Sequence, residues 1–148
     1  MKQVLAPLLA LLPGAAFALG TADCDMARLD VIPEPWEDYT ATFANGDVRV
    51  AAIDFMEPVT GPMHLVIVSP PRDELGFRQC RTIMRDEIYG WSWLEFSTLD
   101  ASYDPAKGLV FTIEGDATAD DGFTALPVLV TITLNQSTGE ITVGETPR

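Results

Sequence analysis

Met63-His64-Leu65-Val66-Ile67-Val68-Ser69, then Pro70-Pro71, then the return Phe77-Arg78-Gln79-Cys80-Arg81-Thr82-Ile83-Met84, is the stretch that decides the fold. Its first half is a short apolar run, which reads as a strand buried on both faces. The run breaks at Pro70-Pro71, crosses the charged loop Arg72-Asp73-Glu74-Leu75-Gly76, and re-enters a strand at Phe77. The second strand carries Cys80, one of two cysteines in the chain. A core strand, a crosslink and the densest positive charge therefore fall together, and the rest of the chain must pack around them. The stretch accounts for a fold and names no reaction.

Outward toward the N-terminus, the first residues address compartment. Lys2 supplies a positive start, Val4 to Leu12 is apolar apart from Pro7, and Pro13-Gly14 precedes Ala16-Phe17-Ala18. That order matches a secretory leader with a small-x-small cleavage site, cut after Ala18, with Ala22 the alternative. The apolar run is shorter than the roughly 20 residues needed to span a bilayer, so no integral membrane segment is expected after cleavage. Asp23 precedes Cys24, which does not fit a lipidated cysteine. Residues 19–148 then form one domain, large enough for a core of its own.

In an exported chain two cysteines imply one disulfide, Cys24 to Cys80, pinning an irregular segment over residues 19–37 onto a sheet. No C-x-x-C is present to give the pair a redox role. The net charge of -13 becomes one unit more negative once Lys2 leaves. An acidic surface of that size repels nucleic acid and anionic lipid, and reads as a solvated face.

Strands recur along the remainder. Tyr39 to Ala44 alternates, with Tyr39, Ala41 and Phe43 on one face, and Asn45-Gly46 then marks a type I′ hairpin into a strand at Val48–Phe55. Tyr89 to Phe96 reads as an aromatic strand, although Trp91, Leu94, Glu95 and Thr98 also sit at helical spacing, leaving a short helix over Leu94–Ala101 open. Tyr103–Gly108 and Leu134–Gly139 each open on Asp or Asn and close on Gly, the chemistry of a type I turn with a left-handed glycine. They join Leu99–Tyr103 to Leu109–Glu114, and Val128–Leu134 to Glu140–Val143. Eight to nine short strands, little helix and regular turn signals predict an all-β antiparallel meander forming a sandwich or a barrel.

Candidate chemistry is sparse. His64 is the only histidine and begins an apolar strand; a hydrolase would need it to converge with Asp54 or a nearby carboxylate. G-x-S-x-G, H-E-x-x-H and paired Cys/His spacings are absent, so no catalytic residue and no cofactor is assigned. Asp116, Asp120 and Asp121 lie in an acidic loop with weak calcium character, lacking the EF-hand spacing. Arg72, Arg78, Arg81 and Arg85 are half of the basic residues beyond the leader, with Arg81 and Arg85 on one strand face and Arg78 on the other. They suit a carboxylate or phosphate, or pairing with the neighbours Asp73, Glu74, Asp86 and Glu87. Trp91 and Trp93, two apart in a strand, would share a face as a partner anchor or join the core. Asn135-Gln136-Ser137 matches a glycosylation acceptor, which matters only in a eukaryote.

Val48-Arg49-Val50-Ala51-Ala52-Ile53-Asp54, His64 to Pro70, and Tyr103-Asp104-Pro105-Ala106-Lys107-Gly108 together resemble small exported proteins of Gram-negative bacteria with no assigned activity. The resemblance implies a periplasmic or secreted address. The expected function is accordingly a non-enzymatic domain binding a protein or cell-envelope component through the Trp91/Trp93 face or the Arg78–Arg85 strand. The alternative is a small-ligand carrier using a barrel interior lined by Phe43, Val66 and Phe111.

Overall fold

A computed structural model describes residues 19–57, 61–86 and 89–148; the leader read over residues 1–18 lies outside them. Nine strands follow in order: β1 (Gly20–Asp23), β2 (Thr40–Phe43), β3 (Val48–Asp54), β4 (Met63–Arg72), β5 (Arg78–Met84), β6 (Trp93–Asp104), β7 (Gly108–Thr118), β8 (Ala125–Leu134) and β9 (Ile141–Pro147). They form a five-stranded sheet ordered β1-β5-β4-β3-β2 and a four-stranded sheet ordered β6-β7-β8-β9, every pairing antiparallel. The two sheets pack as a sandwich, and no closed barrel forms. No helix among the described residues is long and apolar enough to cross a membrane.

Period-two alternation builds the core. Val48, Val50 and Ala52 of β3, with Leu65 and Ile67 of β4 and Ile83 of β5, meet Leu94, Phe111, Ile113, Val130, Ile132 and Leu134 of the opposite sheet. Phe43 and Phe111 bridge the two layers edge to face, with ring centroids 5.0 Å apart. Full burial of a side chain such as Phe111 contributes roughly 1.5–3 kcal/mol. Thr131 and Thr133 alternate outward between the buried residues of β8, as their pattern requires.

β4 is the central strand, and Met63 to Ile67 are all buried. The strand continues past Pro70-Pro71 to Arg72 rather than ending there. Prolines donate nothing to a ladder, and here they fall where the β4–β5 register shifts, between Ser69 and Arg72. The turns follow their residues. Asp104 Oδ1 accepts from the Ala106 amide, Asn135 Oδ1 accepts from the Ser137 and Thr138 amides, and Gly108 and Gly139 take positive φ. Asn45 and Gly46 form the expected left-handed pair, closed by the Asp47 amide on the Ala44 carbonyl, although Ala44 also takes positive φ.

Two expectations change and one open alternative is decided. Residues 19–37 are not wholly irregular, because Gly20–Asp23 pairs with β5 as an edge strand. Of the two readings open over Leu94–Ala101, the strand holds and the short helix does not: Leu94 and Phe96 point inward while Trp93, Glu95 and Ser97 point out. The strand read over Tyr89–Phe96 begins only at Trp93, and from there it continues through Leu99–Tyr103 as one strand, with a register shift between Glu95 and Asp100.

Candidate functional site

The disulfide positions an open, largely apolar groove on the outer face of the five-stranded sheet. Cys24 and Cys80 are joined, with Cα atoms 5.5 Å apart. Cys80 lies on the outward face of β5, in register with Val68 of β4. From Cys24 the chain runs through three short 3-10 turns, Cys24–Met26, Leu29–Val31 and Trp36–Asp38, and enters β2 at Thr40. This strap therefore crosses the outward face of the five-stranded sheet, anchored by the disulfide at one side and by β2 at the other.

Between strap and sheet lies a groove of about 540 Å³, within the usual range of small-molecule sites. Register identifies its floor. Opposed residues of an antiparallel pair share a face, so Arg49 with Val68, Ala51 with Val66, and Ile53 with His64 all turn outward. Ile53 and Val66 are buried, Ala51 and Val68 half-buried. Leu29, Ile32 and Trp36 line the roof, and Trp36 is 48 % exposed, so the roof is incomplete.

Arg49 stands exposed at the polar end of this floor. Among the described residues, Arg28, Arg72, Arg81, Arg85, Lys107 and Arg148 each pair with a carboxylate, and Arg78 donates to the carbonyls of Gly46 and Asp47. Among the described basic residues, only the side chain of Arg49 has neither an ion pair nor a hydrogen bond.

A second cavity, about 560 Å³, opens at the end of the sandwich where Leu19, Gly61, Tyr89 and Thr118 meet. Its central polar groups are committed to one another. Arg85 donates through Nε and Nη2 to Glu145 Oε1 at 3.2 Å, and through Nη1 to the Thr118 carbonyl at 3.3 Å. Glu145 Oε2 accepts from the indole Nε1 of fully buried Trp91 at 3.1 Å. This trio ties β9 to the segment before β6 and leaves little for a ligand.

The expected partner surface separates. Trp91 makes a single bridge with Met63, and the chain bends at Ser92, so the indole of Trp91 enters the core while Trp93 stays 46 % exposed. The bend removes the shared face that simple alternation implies. The arginines find partners far away in sequence rather than beside them: Arg81 with Asp23, Arg85 with Glu145, Arg72 with Asp47. The acidic loop disperses too. Asp116 lies inside β7, and Asp121 caps its own turn, its carboxyl held below the ordinary range by the Thr124 hydroxyl first and then by the Thr124 and Phe123 amides. Among the described residues no group of three metal-binding side chains converges.

His64 and Asp54 do not make a catalytic pair. Ile53 opposes His64 and Asp54 opposes Met63, so the two side chains leave opposite faces of the sheet. His64 is 3 % exposed, stacks edge-on to Phe55 with centroids 5.1 Å apart, and donates from Nδ1 to the Pro62 carbonyl at 3.2 Å. Burial lowers its pKa, against a weaker opposing pull from that carbonyl. Gly90 closes over it: a Cβ there would run into the Met63 and Gly61 carbonyls and stand 2.6 Å from His64 Cε1.

The carrier interior expected from Phe43, Val66 and Phe111 is likewise not a cavity. Phe43 and Phe111 fill the inter-sheet core, whereas Val66 faces the groove on the other side of its sheet. Sequence reading named Val66 but missed the groove, whose one signal was apolar residues on both faces of β3 and β4 opposite a cysteine-tethered segment bearing Ile32 and Trp36. Comparison with protein-family models, curated proteins and solved structures gives no match, so the geometry alone carries the functional argument.

Proposed function

We propose that this chain is an exported, periplasmic or secreted binding domain without catalytic chemistry, and that it receives a cell-envelope component in the groove beneath the strap. The observation that carries the reading is the concave, partly roofed apolar floor of Ala51, Ile53, Val66 and Val68. A folded protein partner fits less well, because a flat aromatic face is missing once Trp91 is buried. The disulfide agrees with an oxidising compartment, and the leader-like residues before Leu19 agree with export.

The test is photo-cross-linking in the native host. A photoreactive residue at Leu29 or Trp36, both exposed on the strap, is compared with one at Tyr103, which is exposed on β6. Adducts at the strap positions and none at Tyr103 support the reading. Adducts at Tyr103 alone place binding elsewhere and sink it. Mass analysis of the same preparation reads the mature N-terminus, and a chain retaining residues 1–18 would refute cleavage and export by this route.

A further inference from the structure

We infer that the groove takes a single-chain amphiphile with a carboxylate head, the head at Arg49 and the tail along β3 beneath the strap. This deepens the binding reading above and rests on it. The outward residues of β3 form a gradient: Arg49 is exposed, Ala51 half-buried, and Ile53 only 1 % exposed. The outward residues of β4 opposite them, Val68 and Val66, add apolar surface along the same line. A ligand matching that gradient is charged at one end and aliphatic along the rest.

The sign and size of the head follow from charge. Arg49 is the cation left without a partner among the described residues, in a chain whose net charge is -13. Only a local guanidinium makes an anionic head favourable there, and one guanidinium matches one monoanion, bidentately in the case of a carboxylate. A dianionic phosphate would keep an uncompensated charge on an acidic surface. A cationic head would meet Arg49 directly and be repelled.

The test titrates the full oxidised protein with dodecanoate, dodecyl phosphate and dodecyltrimethylammonium, each below its micelle concentration, reading affinity by calorimetry and location by amide chemical shifts. Dodecanoate should bind saturably, shifting Ile32, Ala51, Ile53, Val66 and Val68. Arg49→Gln should weaken it by about tenfold, the effect of losing one charge-assisted contact. The same variant should keep nearly the wild-type unfolding midpoint, because the exposed Arg49 side chain makes no ion pair or side-chain hydrogen bond within the fold. Dodecyltrimethylammonium binding as tightly as dodecanoate, or an unchanged affinity in Arg49→Gln, overturns the anionic head. Tighter dodecyl phosphate overturns the carboxylate. Shifts away from the groove, or no saturable binding of any probe, overturn the ligand class, and strap cross-links in the host would then show that the groove itself still binds something else.

Discussion

Replacing both Cys24 and Cys80 with alanine removes the tether on the strap, and its cost can be worked from the chain. The bonded cysteines are 56 residues apart. On the loop-entropy account, releasing a loop of that length from the unfolded ensemble costs about 4 kcal/mol. Against a total of about 5–15 kcal/mol for a small domain, that is a large share. In urea, with a slope of about 2 kcal/mol per molar, the midpoint should fall by about 2 M, and the slope should rise as the uncrosslinked unfolded chain exposes more surface. Hydrogen exchange separates this global effect from the local one. The strap amides of Ala27, Val31, Ile32 and Tyr39 bond only to carbonyls within their own turns. They should lose protection in the variant, while β7 and β8 amides stay protected. A stability loss under about 1 kcal/mol, or strap amides as protected as before, would refute the view that the disulfide holds the roof of the groove.

Further outcomes follow from other contacts. Glu145→Ala leaves the buried Trp91 N–H without its acceptor and leaves half-buried Arg85 only the Thr118 carbonyl, so urea unfolding should show a loss of about 1–3 kcal/mol; Glu145→Gln should recover part of it, and equal losses would contradict the Trp91 hydrogen bond. Burial lowers the pKa of His64 in the fold, so its share of stability is complete above about pH 6.5 and is lost as pH falls toward the depressed value. His64→Gln should flatten that slope between about pH 7 and 5; parallel profiles would exclude His64 as its source. Thr82 is 2 % exposed, and its hydroxyl lacks a partner. Thr82→Val should therefore stabilise by about 1 kcal/mol, and a loss in calorimetric melting would point to a bond the hydroxyl makes.

The parts legible in the sequence are those governed by neighbours along the chain. Asn45-Gly46, Asp104–Gly108 and Asn135–Gly139 adopt the turns their side chains favour, and the alternation of β7 and β8 assigns inner and outer faces correctly. The parts that escaped depend on partners distant in sequence. β1 has no apolar pattern and exists because β5 offers a free edge. The separation of Trp91 from Trp93 needs a bend that only the bridge to Met63 dictates. Each arginine pair spans at least 25 residues except Arg28 with Asp30, so charge order along the chain names the wrong acids. The groove is the extreme case, since its roof and floor come from segments joined only through Cys24 and Cys80.

The register shift in β6 has a consequence for how molecules of this protein meet. β6 is the longest strand and lies at the edge of its sheet, where an uninterrupted ladder would invite pairing with a second chain. The irregularity between Glu95 and Asp100 breaks that ladder, and the Thr98 hydroxyl turns inward to hold the kink, donating to the Glu95 carbonyl and accepting from the Glu114 amide. In the other sheet both margins are short, since β1 and β2 have four residues each. Three of the four sheet borders thus discourage templated growth, a form of insurance against fibre formation where the described residues are nearly all strand.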